Sequence, residues 1–251
     1  MPAPAYKEPL GAFLRQNPFL FPRTLGFFYR EKMRAIHRVA PDLPFTKILE
    51  VGGGRSGLTR LLYPRARITN LDLDPSFADA PCNLREGVDF VCGDATSLEF
   101  PSDSFDAVTM FDLLEHVPDD ERAISEALRV LRSGGHLLVT APNEHWRFPY
   151  YSAMRPFCPP ESEMMREWGH VRRGYSLASL GELVGLPCES YATFITPLTV
   201  ACHDVSFSKA SRGVRRAVCV LFSPVTLAGY AVHRSAWRGT ETASAWRKPK
   251  R

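Results

Sequence analysis

A glycine-rich turn between an apolar run and an amphipathic run is the feature that most constrains this chain. The stretch Lys47 to Leu61 reads KILEVGGGRSGLTRL. Its first five residues are typical of a short strand, and the spacing of apolar residues from Ser56 onward predicts a helix. Three consecutive glycines let a ligand approach the backbone, and a helix start offers free N–H groups and a positive dipole end. The stretch therefore predicts a strand, a tight turn and a helix that together hold a nucleotide-like molecule.

The spacing of the glycines leaves the kind of nucleotide open. Gly52, Gly54 and Gly57 satisfy the pattern G-x-G-x-x-G. Asp72 follows Gly52 by twenty residues at the end of a second apolar run, which is the arrangement of a dinucleotide-binding turn. A purely structural glycine turn and a turn for another nucleotide-like cofactor are the competing interpretations.

The length and composition predict one domain with additions. A chain of 251 residues with 45% hydrophobic content can bury one good core. We expect an N-terminal helical extension over residues 1–44 and a main domain over residues 45–251. Within that domain, the cofactor half spans about 45–142, and substrate-side insertions span about 143–175 and 200–236.

Alternating strand and helix patterns predict an α/β fold with a doubly wound, mostly parallel sheet. The predicted helices are an N-terminal one in the stretch Phe13 to Val39, which is aromatic and then helical in pattern, one from near Ser56, Asp119 to Leu131 and one that begins at Ser176. The predicted strands are Lys47 to Val51, Ala66 to Leu73, Val88 to Cys92, Phe105 to Phe111, His136 to Thr140, Cys188 to Ile195 and Thr240 to Trp246. In such sheets the ligand lies across the carboxyl ends of the strands, where the glycines, Asp72, Asp94 and Phe111 all fall.

Five stretches together resemble one known family. They are ILEVGGGRSG, NLDLDPS, GDATSLEFPSDSFDAV, FDLLEHVPD and RVLRSGGHLLVTAPN, which occur in that order between Lys47 and Asn143. The chain resembles the class I S-adenosylmethionine-dependent methyltransferases, in the broad type 11 group that includes the ubiquinone and menaquinone biosynthesis enzymes. A dinucleotide-binding domain is not expected to carry these elements, and the chain has no Tyr-x-x-x-Lys pair. The resemblance implies a seven-stranded Rossmann-like sheet with strand seven antiparallel beside strand six, and S-adenosyl-L-methionine as the cofactor.

The resemblance also implies which residues hold the cofactor. Asp72 would accept both ribose hydroxyls, because a carboxylate has two acceptor oxygens. Asp94 would accept from the adenine amino group, and Glu50 would fix the amino group of the methionine part. Ser56 stands where the family commonly has a glycine, and we expect it to cap the following helix. The predicted cofactor-binding set is Glu50, Gly52, Gly54, Asp72, Leu73, Asp94, Ala95 and Phe111.

Two histidines are the candidates for the catalytic role. Methyl transfer from a sulfonium is an in-line displacement, so the protein positions the acceptor and removes a proton where one must leave. His116 follows strand four and would border the cofactor, and His170 would lie beside the substrate mouth. For His116, a general base and a histidine that holds its loop are both open interpretations. The reaction requires no metal, and no Cys/His cluster has zinc-like spacing.

The chain beyond Pro142 is expected to select the acceptor. An aromatic loop over Asn143 to Pro160 could close over an apolar or ring-bearing substrate. Arg172 or Arg173 could bind an acceptor carboxylate or phosphate, with a surface salt bridge as the alternative.

An uncharged run near the end of the chain has two interpretations. Residues 217–232 read AVCVLFSPVTLAGYAV between arginine-containing flanks, and the run is short for a membrane span. Pro224 predicts two short helices instead of one. The segment 215–234 is either a buried helical hairpin or a surface for membrane or lipid-like substrate.

Charge and cysteine content limit the remaining function classes. The net charge of +4 does not indicate nucleic-acid binding, and the six cysteines predict free thiols in a reducing compartment. Prolines near the N-terminus argue against a signal peptide, so we expect a cytoplasmic protein, with membrane association open. The predicted function is methyl transfer to a small-molecule or lipid-like acceptor. The alternatives are methylation of RNA or protein, or a non-catalytic cofactor-binding or membrane-surface protein.

Overall fold

The computed structural model describes residues 6–19, 23–233 and 239–250. The α-helices are α1 (Leu10–Arg15), α2 (Arg23–Val39), α3 (Leu58–Leu62), α4 (Asp120–Val130), α5 (Glu161–Trp168), α6 (Leu177–Val184), α7 (Pro197–Ser206) and α8 (Arg212–Val232). The strands are β1 (Lys47–Val51), β2 (Arg67–Asp72), β3 (Val88–Cys92), β4 (Phe105–Phe111), β5 (Leu131–Pro142), β6 (Cys188–Phe194) and β7 (Glu241–Arg247). Short 3-10 helices occupy Pro75–Asp79 and Ser152–Phe157.

The strands form one seven-stranded sheet in the order β3-β2-β1-β4-β5-β7-β6. The first five strands pair in parallel, and β7 runs antiparallel to both β5 and β6. This arrangement confirms the predicted doubly wound, mostly parallel sheet and the antiparallel strand seven. The order reverses at β1 and β4, which is where such sheets place a ligand.

Apolar layers cover both faces of the sheet. Ile48 belongs to the core cluster on one face, and Leu49 and Val51 belong to the cluster on the other, as the two-residue period of a strand requires. Every residue of β4 is buried because the strand lies between β1 and β5 under both layers. Continuous apolar runs are expected of strands in this position.

The N-terminal helix that was predicted to end at Val39 is α2, and a short further helix, α1, precedes it. Two local predictions were wrong. Ser56 does not cap α3, because its hydroxyl donates to the carbonyl of Gly53 and the cap is Gly57, with φ of 58°. Strand β5 begins at Leu131, five residues before the predicted start at His136.

The apolar run near the end of the chain forms one continuous helix, α8, with Pro224 inside it. The prediction of two short helices was therefore wrong. One face of α8 packs on α7, and Cys219 and Thr226 are buried there. Leu221 exposes 76% of its surface, so the interpretation as a fully buried hairpin was also wrong. Arg234 lies outside the described residues.

No helix in the described ranges is both long enough and apolar enough to cross a bilayer.

Candidate active site

The carboxyl ends of β1, β2, β3 and β4 meet at one edge of the sheet. The register pairs Val51 with Leu71 on one side and with Met110 on the other, so Gly52 lies between Asp72 and Phe111. Gly52 and Gly54 have φ values of 72° and 50°, a left-handed conformation that glycine adopts without strain. The loop that follows β1 therefore turns sharply at the point where the sheet order reverses.

The absence of side chains in this loop allows close packing on one side and leaves space on the other. A Cβ atom at Gly52 would lie 2.6 Å from the Leu113 side chain, so the loop packs directly on the segment after β4. A Cβ at Gly54 would lie 3.7 Å from Oδ2 of Asp72 and would take up the space beside that carboxylate. The glycines thus keep open a cradle that has a carboxylate at its edge.

The Asp72 carboxylate already accepts two backbone hydrogen bonds. Its Oδ2 accepts from the Gly54 N–H at 3.0 Å, and its Oδ1 accepts from the Asp74 N–H at 3.1 Å. Each carboxylate oxygen can accept a second hydrogen bond. Asp72 therefore orders the glycine loop and keeps the capacity for two further donors.

Glu50 lies under the loop. Its side chain is only 1% exposed, and its Oε1 accepts from the Thr59 N–H at 3.4 Å. Burial raises the pKa of Glu50 to about 7, against the opposing effect of the Thr59 hydrogen bonds. In this arrangement the carboxyl group supports the loop from the core side.

The other predicted cofactor residues line the same edge. Leu73 exposes 73% of its surface, which gives an apolar side chain next to the Asp72 carboxylate. Asp94 caps the turn after β3 by accepting from the N–H and hydroxyl of Thr96, at 2.8 and 2.9 Å. Ala95 and Phe111 are buried. The structure thus gathers the eight predicted cofactor residues at four neighbouring strand ends.

A cavity of about 360 Å³ opens beyond the end of β4. Its walls carry five aromatic side chains, three carboxyl groups and three imidazole groups. Its lining comprises Phe28, Tyr29, Asp112, Glu115, His116, Pro142, Trp146, Trp168, His170, Val200, His203, Phe207, Thr240 and Glu241. A mostly apolar cavity with a few convergent polar groups is typical of a small-molecule site. The cavity includes none of the eight cofactor residues, but Asp112 follows Phe111 directly.

Helix α2 contributes to this cavity as well as to the core. Lys32 on α2 is 4% exposed and forms an ion pair with Oδ2 of Asp112, whose Oδ1 accepts from the Thr140 hydroxyl at 2.6 Å. Burial opposes both charges, but the pairing prevails, so the pKa of Lys32 is raised and that of Asp112 is lowered. Asp112 also has a φ of 50°, which is uncommon outside glycine. The N-terminal helix therefore lines the cavity as well as packing in the core.

Both predicted catalytic histidines lie in the cavity and contact each other. The ring centroids of His116 and His170 are 4.8 Å apart in an edge-to-face arrangement. Nδ1 of His116 lies 3.2 Å from the Gly169 carbonyl oxygen. Burial, reinforced by His116, lowers the pKa of His170 to about 4, so this ring is neutral near pH 7.

Two buried glutamates adjoin the histidines and were not predicted. Glu115 and Glu241 are 1% and 5% exposed. Burial raises the pKa of each well above its ordinary value, and nearby Asp112 adds to the effect. Glu115 is part of the sequence LLEH, but only its burial in the fold distinguishes it from an ordinary surface glutamate.

Other predicted acceptor residues lie elsewhere. Arg172 pairs with Asp120 at 2.5 Å, and Arg173 pairs with Glu161 at 2.7 Å. These ion pairs support the salt-bridge interpretation over an acceptor-binding role. His145, in the aromatic loop, has a side chain 79% exposed and does not line the cavity. Within the aromatic loop, Trp146 does line it.

Comparisons with known proteins match the middle of the chain to methyltransferases. A sequence model of the methyltransferase domain family matches residues 49–139. The phthiotriol/phenolphthiotriol dimycocerosates methyltransferase 1 of Mycobacterium ulcerans (strain Agy99) is 41% identical over 120 residues, which is 44% of this chain and 44% of that protein. A ubiquinone/menaquinone biosynthesis C-methyltransferase of Hahella chejuensis is 29% identical over 154 residues, covering 57% of this chain and 56% of that protein. The matches thus span about half the length of these curated relatives.

A solved structure agrees over most of the chain. Phosphoethanolamine N-methyltransferase 2 of Haemonchus contortus, in complex with S-adenosyl-L-methionine, superposes with a TM-score of 0.59 and 16% identity. The superposition covers 90% of this chain and 57% of that one, and at this identity it speaks for the fold alone. The chain thus carries a methyltransferase domain over residues 49–139 and has the fold of the class I S-adenosylmethionine-dependent methyltransferases.

Proposed function

We propose that this protein transfers the methyl group of S-adenosyl-L-methionine to a lipid-like or ring-bearing small molecule held in the aromatic cavity. The observation that carries the proposal is the cradle of Gly52, Gly54 and Asp72, which opens at the same sheet edge as the cavity. The curated relatives named above are methyltransferases of lipid or quinone biosynthesis by their names, which supports the same acceptor class.

The residues at the sheet edge fit the parts of this donor. Asp72 has acceptor capacity for two ribose hydroxyls, and the exposed Leu73 beside it offers an apolar surface for the adenine ring. The open backbone at Gly54 leaves room for the adjoining part of the molecule. When bound, the donor supplies a methyl group on a sulfonium and so carries its own activation.

Activation of the acceptor falls to the histidine pair. A hydroxyl acceptor must lose its proton as its oxygen attacks the methyl carbon, and the electron pair of the broken C–S bond stays on sulfur. A carbonyl oxygen can only accept, so the contact with Gly169 assigns the proton of neutral His116 to Nδ1 and leaves Nε2 as the acceptor. His116 is therefore the first choice for this role, and His170 beside it is the second.

Labelled donor tests the proposal directly. The purified protein is incubated with methyl-labelled S-adenosyl-L-methionine and separate lipid, small-metabolite, RNA and protein fractions of the host. We expect label in a lipid or quinone-like product, and titration calorimetry should detect the donor and its demethylated product but not NAD or NADP. Comparable NAD binding, or label confined to RNA or protein, would contradict the proposal.

A substitution at His116 tests its role separately. We expect His116→Ala to lower turnover by about a hundredfold with little change in donor affinity, as removal of a general base does. His145→Ala is the matched control, because its exposed ring does not line the cavity. A folded His116→Ala protein with parental turnover would assign His116 to structure.

We also infer that the protein works in the cytoplasm against a membrane surface through α8. The six cysteines are free thiols, which suits a reducing compartment. The outer face of α8 carries large exposed apolar side chains, and Arg212 and Arg216 are exposed near its N-terminal end. The apolar set is Val214, Val220, Leu221, Phe222, Val225, Leu227 and Val232. An amphipathic helix with cationic flanks is suited to lie in the headgroup region of an anionic bilayer.

Vesicle sedimentation tests this contact. We expect the parent to sediment with anionic vesicles and a Leu221→Glu, Leu227→Glu variant to stay in the supernatant. Both side chains are exposed, so the variant should keep its fold. Leu84→Glu is the matched control, since Leu84 is 70% exposed and lies far from α8 in sequence. A parent that stays in the supernatant would rule out membrane binding.

A further inference from the structure

One end of the cavity brings together three groups with the chemistry of a metal site. Glu115 and His116 follow β4, and His170 lies after α5, 54 residues further along the chain. A carboxylate oxygen and one nitrogen of each ring lie within 4.8 Å of one another. Nitrogen and oxygen atoms that bind one cation at about 2.1 Å lie about 3 to 3.5 Å from each other. Side-chain rotations that move these atoms by on the order of 1 Å would therefore close the site.

Two of these groups have buried polar atoms without a partner in the described structure. Oε2 of Glu115 and Nδ1 of His170 are inaccessible and make no hydrogen bond. Burial of an unpaired carboxylate oxygen is costly, and such groups are normally satisfied by a hydrogen bond or a metal. Glu115 is 1% exposed, so these atoms point to a ligand inside the protein.

The third group is oriented as metal-binding histidines usually are. Nδ1 of His116 contacts the Gly169 carbonyl oxygen at 3.2 Å, which fixes the ring and leaves Nε2 as the coordinating atom. A backbone carbonyl in this position is a common outer partner of a metal-bound imidazole. The nearby Lys32 ammonium forms an ion pair with the Asp112 carboxylate.

We propose that Glu115, His116 and His170 bind a divalent first-row transition metal at the end of the acceptor cavity. Two imidazoles and one carboxylate suit Zn²⁺, Fe²⁺, Co²⁺ or Mn²⁺ and leave coordination positions open toward the cavity. The site's use in catalysis rests on the proposed function. With the cation bound, the two histidines would be ligands and not bases, and the cation would activate the acceptor in their place by binding and polarising its oxygen. Metal binding itself needs neither donor nor acceptor.

Metal binding is measured on the full chain, without donor or acceptor, in a Cys92→Ser background because Cys92 is an exposed thiol. The protein is stripped with chelator, and binding of Zn²⁺ and Co²⁺ is followed by calorimetry, elemental analysis and the visible spectrum of Co²⁺. We expect one ion per chain. Glu115→Gln and His170→Gln should each weaken binding by at least about a hundredfold, more than loss of an outer partner does. His145→Ala should bind like the parent.

Absence of one tightly bound ion in the parent would overturn the proposal, as would parental affinity in either folded variant. Circular dichroism shows whether each variant is folded, and either folded variant suffices to decide. If the chelated protein still transfers methyl groups at the parental rate, the metal has no part in turnover while the proposed methyltransferase function stands. If metal binds but no methyl transfer occurs with any acceptor, the metal site stands and the proposed function fails.

Discussion

Replacement of Asp72 by asparagine tests the donor site most sharply. The carboxylate accepts the N–H groups of Gly54 and Asp74 at 3.0 and 3.1 Å and has one further acceptor position on each oxygen. In Asp72→Asn one oxygen becomes an NH₂ group that can only donate. One ribose hydroxyl would then lose its charged acceptor. The N–H of Gly54 or of Asp74 would face the new NH₂ group, which cannot accept its hydrogen bond.

The two losses should appear in different measurements. A hydrogen bond to a charged group contributes about 1.5 to 3 kcal/mol, so donor affinity should fall roughly ten- to a hundredfold. The lost loop hydrogen bond should lower the free energy of unfolding by about 0.5 to 1.5 kcal/mol, which leaves the protein folded.

Titration calorimetry with the demethylated product measures the affinity, and urea unfolding measures the stability. Asp74→Asn is the matched control, because Asp74 is an exposed carboxylate on the same loop that caps a 3-10 turn through the Ser76 N–H at 2.9 Å. The control should bind like the parent. If folded Asp72→Asn also binds like the parent, Asp72 anchors the loop and does not bind the ribose.

Two further predictions concern the support of the glycine loop. The pKa of Glu50 in the folded protein, about 7, exceeds its ordinary 4.5, so the stabilising contribution of the protonated form is complete below pH 4.5 and is lost as pH rises through 7. Glu50→Gln should remove about 3 kcal/mol of this pH dependence from the free energy of unfolding, measured with urea at pH 5 and 8; an unchanged dependence would contradict the assignment. Gly53→Ala should lower the free energy of unfolding by about 1 to 3 kcal/mol, because its Cβ would lie 2.3 Å from Oδ1 of Asn70. Gly213→Ala, which meets no atom within 4 Å, is the control, and equal stability of the two variants would refute the steric argument.

Local sequence patterns were sufficient to predict the sheet and the edge at which we propose that the donor binds. A short continuous apolar run is typical of a strand that is buried on both faces, and a run of glycines directly after it is typical of a sharp turn, so β1 and its loop could be predicted from the sequence. Once the strands alternate with helices, the carboxyl ends of β1 to β4 must meet at one edge. Asp72, Asp94 and Phe111 could therefore be grouped from their places in the chain.

The cavity depended on contacts between distant parts of the chain. Lys32 meets Asp112 across 80 residues, and Glu241 reaches the same cavity from β7 at the far end of the chain. No local sequence pattern predicts such contacts, because they depend on how α2 packs on the folded sheet and where β7 lies within it. The continuity of α8 through Pro224 was likewise decided by packing on α7, which offsets the local preference of proline to end a helix. Sequence alone predicted which residues gather at the carboxyl edge of the sheet, whereas tertiary packing decided which side chains line the cavity, because burial and side-chain partners are properties of the assembled fold.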